Sequence, residues 1–155
     1  LEKRATTISR AAIFYGDLKN YRENNMIFDI KRFVSFEGNT GPYLLYTYAR
    51  AKSILRKSKK MKNIFKILEI RDTEKSLILQ LSTFPEIVKE AYTNLAPSII
   101  ANYAYKLAQS FNNFYQVSQV IGSEQEEFRL SLVNAFSIIL KKSLTLLAID
   151  VLEEM

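Results

Sequence analysis

Apolar residues recur along this chain mainly at steps of three and four, the spacing that lines one face of an α-helix. Between residues 4 and 18, Ile8, Ala11, Ala12 and Tyr15 follow that spacing and predict a first helix. The polar run 20–25 reads as a loop. Residues 27–36 read as a short extended piece and then a helical turn carrying Phe33 and Phe36. The Glu-Gly-Asn-Thr-Gly run at 37–41 predicts a turn. Thr40 suits an N-cap with Pro42 just inside the next helix, which runs to about Arg56. A lysine-rich stretch then reads as a loop.

Four more helices follow in the pattern. Residues 74–82 carry Leu77, Ile78 and Leu81, and residues 84–94 open with Pro85. Pro97 starts a long helix to about Val120, with Ile100, Tyr103, Leu107, Phe111 and Phe114 on one stripe. Gly122 breaks it. Ser123 and Glu126 then have capping-box spacing, and the last helix presents Phe128, Leu132, Ala135, Ile139 and Leu146. Strand patterning is weak, so the expected fold class is all-α, a helical bundle of about five or six helices.

Composition removes much chemistry. The chain has no histidine, cysteine or tryptophan and only 4 glycines. Zinc sites, thiol nucleophiles and Ser-His-Asp triads need His or Cys. No G-x-G-x-x-G or G-x-x-x-x-G-K phosphate loop occurs. Carboxylates are scattered, and Glu126 and Glu127 suit the first turn of a helix better than acid–base work. Catalysis by these residues alone is not expected. Residues 1–10 lack the apolar core of a signal peptide, and no apolar run reaches the ~18 residues of a spanning helix. A soluble, cytoplasmic, monomeric protein without membrane partners is therefore the expectation. The missing initiator Met suggests a piece of a longer chain.

Charge changes the picture more. Residues 50–66 contain eight Lys and Arg and no acid, against a net charge of +6 for the whole chain. Such a segment beside tyrosines fits nucleic acid, but for the lysine run by itself a solvated helix end and loop is the favoured reading. On the helix before it, Tyr43, Tyr46 and Arg50 stand at i, i+3 and i+7 on one face, while Leu44, Tyr48, Ala51 and Leu55 form a more apolar one. An aromatic-plus-arginine stripe can stack bases and pin phosphates. It can also be core packing with hydroxyls at the surface.

Longer runs are more specific. Residues 26–57, MIFDIKRFVSFEGNTGPYLLYTYARAKSILRK, resemble the segment of arginyl-tRNA synthetases that enters the anticodon-binding domain, above all in SFEGNTGPYL. Residues 95–115, LAPSIIANYAYKLAQSFNNFY, and 128–155, FRLSLVNAFSIILKKSLTLLAIDVLEEM, resemble later segments of the same family. ISRAAIFYGDL at 8–18 resembles an earlier one, so the likeness spans nearly the whole chain in order. Departures are Leu45 for a usual Gln, Ala148 for a usual Gly and Glu154 for a usual Arg.

The resemblance implies a parent class I ligase that activates arginine with ATP and Mg and esterifies it to tRNA. The nucleotide-binding signatures lie outside these residues, so no cofactor is expected here. Residues 1–36 would be the tail of the catalytic body, and residues 37–155 the helical anticodon-binding domain. Family positions that touch the anticodon match Tyr43, Tyr46, Arg50, Tyr115 and Met155. Gln119 stands where some relatives place Trp. Arg50 and the lysines, Lys59 and Lys60 among them, would neutralise phosphates. A terminal carboxylate at Met155 would accept from the amino group of the central anticodon cytosine. The expected partners are the arginine tRNA and the catalytic domain of the same chain. Alternatives are the helical domain of a related synthetase such as the cysteine enzyme, or a basic module for protein or anionic lipid surfaces.

Overall fold

A computed structural model describes residues 2–58 and 67–155. The helices are α1 (Glu2–Leu18), the one-turn α2 (Ile30–Phe33), α3 (Gly41–Lys57), α4 (Asp72–Ser82), α5 (Phe84–Thr93), α6 (Pro97–Val117) and α7 (Glu126–Leu146). There is no strand among the described residues. Six full helices and one turn agree with the all-α bundle expected from the sequence. No helix among the described residues is long and apolar enough to cross a membrane. The expected lysine loop falls mostly outside the described residues, and Lys59 and Lys60 lie there.

Helices α3, α6 and α7 pack on one another. Helix α1 covers α3, while α4 and α5 cover α6. Their shared core holds Tyr48, Leu107, Phe111, Phe114, Phe136 and Leu144, all at 2 % exposure or less. The Phe111 and Phe136 rings stack with centroids 3.9 Å apart. The α6 stripe from Ile100 to Phe114 is buried as its spacing predicts. Ala11 and Tyr15 of α1 belong to the same cluster.

The 37–41 turn is shaped by particular residues. Gly38 adopts φ +77°, a region that favours glycine. The Asn39 amide oxygen lies 2.6 Å from the buried Tyr15 hydroxyl, which is also 2.9 Å from the Ala101 carbonyl. Burial, and then the charge of Tyr105, holds the Tyr15 hydroxyl protonated well above the usual phenol range. Thr40 Oγ1 accepts from Tyr43 N at 3.2 Å and donates to the Ser35 carbonyl at 2.6 Å. A Cβ at Gly41 would overlap the Ala11 carbonyl, so only glycine lets α3 start this close to α1. The turn thereby sets the angle at which α3 presents its tyrosines.

Several local expectations are corrected. Helix α6 ends at Val117 rather than near Val120, with Ser118 N donating to the Phe114 carbonyl at 3.0 Å. The capping box at Ser123 does not form. Gly122 turns the chain at φ +77°, Glu126 accepts from Gly122 N at 2.6 Å, and Ser123 Oγ donates to the Val120 carbonyl at 3.0 Å. Helix α7 therefore starts later than the pattern suggests, with Gln125 rather than Ser123 at its N-cap. On α7, Phe128 and Leu132 are buried as expected. Ala135 and Ile139 are half-buried and Leu146 is exposed, because the docked stripe continues through Val133, Phe136, Leu140 and Leu144. The helix is apolar on two neighbouring stripes, and packing against α3 and α6 selects one. Similarly Phe33 is buried, whereas Phe36, expected beside it on the same turn, lies beyond the end of α2 and is exposed.

Candidate nucleic-acid interface

The C-terminal halves of α3 and α6 and the chain end enclose an open groove of about 1270 Å³. Tyr46, Arg50, Tyr115, Gln119 and Met155 all line it. Five of the eight site residues read from the sequence therefore converge, although they come from three separate parts of the chain. Tyr46, Tyr115 and Met155 are each about two-fifths exposed, at 43%, 40% and 41%. What sets them apart is that they meet in one groove rather than standing singly on the surface.

Arg50 is the centre of the arrangement. Its guanidinium carbon sits 4.8 Å from the Tyr46 ring centroid and 5.7 Å from that of Tyr115, within cation–π range of both. Nη1 donates to Asn112 Oδ1 at 2.8 Å, and Nη2 donates to the Tyr46 hydroxyl at 3.2 Å. Tyr115 also lies parallel to the buried Phe111 ring, with centroids 6.3 Å apart. One face of the site is thus a fixed surface of π-systems and guanidinium. Such a surface suits a flat ligand that stacks.

Tyr43 lies elsewhere. It is half-buried, meets Tyr105 edge-on at 5.7 Å, and its hydroxyl accepts from Asn112 Nδ2 at 2.8 Å. It lines a second groove and not the first. Asn112 therefore clamps Tyr43 and Arg50 together across α3 and α6.

The chain end forms the opposite wall. Tyr48 donates to Glu153 Oε1 at 2.9 Å, Lys52 pairs with Glu153 at 3.3 Å, and Arg56 Nη1 donates to the Glu153 carbonyl at 2.8 Å. Burial alone pushes the Glu153 carboxyl up. Hydrogen bonds from Tyr48 and Lys52, with the charges of Lys52 and Lys141, outweigh it and hold the group below its ordinary range. Burial first, then the Glu153 hydrogen bond and charge, raises the Tyr48 hydroxyl well above the usual phenol range. These bonds hold the segment that carries Met155 against α3. Arg56 and Lys57 add positive charge to the rim, and Glu154 offsets part of it.

Comparison with known proteins bears directly on this geometry. Residues 44–155 match the family model described as the DALR anticodon binding domain. The chain belongs to this family. The arginine–tRNA ligase of Clostridium acetobutylicum is 42% identical over 99% of this chain, and that of Lactococcus lactis subsp. cremoris is 43% identical over 99%. The solved arginyl-tRNA synthetase of Thermus thermophilus superposes on 99% of the chain with a TM-score of 0.93 at 33% identity. That of Plasmodium falciparum gives 0.88 at 30% identity, also over 99% of the chain. The chain spans 28% of the length of each of these relatives.

The DALR domain also shows what the sequence did not reveal. The Arg129 guanidinium is buried. Its Nε donates to Glu74 Oε1 at 2.7 Å, and its Nη1 donates to the Gln119 carbonyl at 2.8 Å. Glu74 is fully buried and also accepts from Arg71 N at 2.8 Å. This pair ties α4 and α7 to the backbone of the groove wall at Gln119. The Gln119 side chain itself donates to the Ile121 carbonyl at 3.0 Å. Arg129 belongs to the run at 128–155 that carries the resemblance, but neither its pairing with Glu74 nor the role of Asn112 could be read there, because these partners lie far away in the chain and a single sequence records no pairing. Among the described residues, no group of three or more His, Cys, Asp or Glu is placed to hold a metal ion.

Proposed function

We propose that this chain is the anticodon-binding part of an arginine–tRNA ligase, in which the groove between Tyr46, Tyr115 and Met155 receives an unstacked anticodon base. The observation that carries the reading is the Tyr46–Arg50–Tyr115 surface open to solvent on a DALR domain. Single-stranded RNA is bound by splaying bases onto aromatic and guanidinium faces and reading their edges. The arginine–tRNA ligases among its relatives supply the amino-acid identity. In this proposal the whole protein esterifies arginine to its tRNA with ATP in the cytoplasm. Residues 37–155 hold the anticodon loop, and residues 1–36 lead from the catalytic body of the same chain.

Arg50, Arg56 and Lys57 would meet loop phosphates at the rim; Lys59 and Lys60, which lie outside the described residues, would add charge for the same purpose. In this proposal ATP and its magnesium are held by the catalytic body of the whole protein and not by these residues. No step through that cofactor is assigned to them.

Fluorescence titration of the full chain tests the reading, with stem-loop RNAs bearing an arginine anticodon or the same loop with its central cytosine replaced. The arginine loop binds more tightly by about tenfold or more, the scale of one well-read base. Equal affinity for both loops refutes the proposal, and tighter binding of a cysteine anticodon loop favours the related synthetase instead.

A further inference from the structure

The first groove carries a carboxylate of its own at the rim. Among its described lining residues Arg50, Arg56 and Lys57 are cations, and Glu154 is the single acid. Glu154 Oε1 lies 3.7 Å from Arg56 Nη2, and its Oε2 lies 3.7 Å from Arg4 Nη2 on α1. We propose that Glu154 is a built-in competitor for a phosphate at Arg56: it occupies that guanidinium in the free protein, and an RNA phosphate binds there by displacing it. The proposal rests on the anticodon reading above and concerns how the backbone of the loop is admitted, not how its bases are read.

Arg56 is prepared for such an exchange. Its Nη1 donates to the Glu153 carbonyl at 2.8 Å, which fixes the guanidinium at the rim. Its Nη2 is the nitrogen beside Glu154. A guanidinium accepts a phosphate oxygen in place of a carboxylate oxygen, since both are charged acceptors for its N–H groups. Glu154 holds on weakly. Its side chain is 60% exposed and both contacts lie near the outer limit of an ion pair, where the stabilisation is small. Displacement does not strand it, because Arg4 stays beside its other oxygen.

The chain end need not come loose with it. Glu153 holds that segment separately, through Tyr48 at 2.9 Å and Lys52 at 3.3 Å. Anchoring and competing are thus divided between neighbouring residues. Arg50 offers no such exchange, because Asn112 and Tyr46 engage both of its Nη atoms. A carboxylate at Arg56 opposes any phosphate, whatever base it carries. Glu154 therefore lowers affinity evenly across loop sequences, and a loop enters only when its other contacts outweigh that loss.

The test titrates the full chain with the arginine stem-loop, and with the loop whose central cytosine is replaced, over a series of salt concentrations. Wild type is compared with Glu154→Gln, Arg56→Gln and the variant carrying both. Glu90→Gln is the control, since it removes the same charge from the exposed surface of α5, outside the groove. Circular dichroism verifies each fold. Glu154→Gln is expected to bind both loops about threefold more tightly, the scale of one exposed ion pair. Its log–log salt slope should steepen by up to ~0.7, because no released carboxylate gathers salt cations as the phosphate arrives. In the Arg56→Gln background the change at 154 should alter neither quantity. Unchanged or weaker binding by Glu154→Gln, an equal gain from Glu90→Gln, or a gain that survives without Arg56 overturns the competition and leaves the anticodon reading intact. If wild type binds both loops alike while the gain still requires Arg56, the base reading fails and the competition stands. Binding of neither loop by any variant overturns both.

Discussion

Ala148 is a single residue in a costly conformation. It follows α7 at φ +57°, in the left-handed region where a Cβ is crowded. Ile149 N donates to the Leu144 carbonyl at 2.9 Å, and Ala148 N donates to that of Thr145 at 3.0 Å, the paired hydrogen bonds of a Schellman cap. The buried Leu144 and Ile149 form its apolar closure. Ala148→Gly should therefore stabilise the fold by about 0.5–1 kcal/mol, read as a higher urea midpoint at unchanged slope. Glu153 makes a second prediction at this scale. Its folded pKa lies below the reference 4.5, so its stabilising contribution is present above that value and disappears as pH falls through the folded one. The NMR chemical shifts of residues 150–155 should change in acid before those of the core do, and Glu153→Gln should remove that pH dependence.

At the scale of elements, α4 depends on one buried ion pair. Removing one partner leaves the other charge in the core, at a typical cost of about 3–5 kcal/mol. Arg129→Met should destabilise by that order in denaturant unfolding, and Glu74→Leu with Arg129→Met should recover most of it. The single variant also releases the Gln119 carbonyl, so its RNA affinity should fall further than its folded fraction explains. The helices themselves were legible because their buried stripes repeat every three or four residues, as from Ile100 to Phe114. The start of α7 was not legible. The Gln125 side chain is held by the backbone of Leu68 and Glu69, far away in sequence, and that pairing outweighs the local Ser123–Glu126 signal.

Across the whole molecule, the proposed function gives the tyrosines and the lysines different tasks. Tyr115→Ala should weaken binding of the arginine stem-loop and blur the distinction at one base, with little change in salt dependence. Lys59→Ala with Lys60→Ala should reduce the slope of log affinity against log salt, by ~0.7 for each single-strand phosphate that is no longer neutralised. Discrimination should stay intact. A filter-binding series over salt and loop sequence separates the two, and like behaviour of both variants would abolish the division into reading and steering residues.

By itself the sequence determined the helical class, the turn at 37–41 and five side chains that meet in the first groove. Those features follow from local spacing, from cap and turn chemistry, and from family motifs that are contiguous in the chain. Only the tertiary structure decided that Asn112 and not solvent holds Arg50, and that Tyr43 faces a different groove from Tyr115. It also decided that Arg129 anchors the wall at Gln119. Each of these depends on which distant helix lies across from which, and that is settled when the α3, α6 and α7 stripes are buried together.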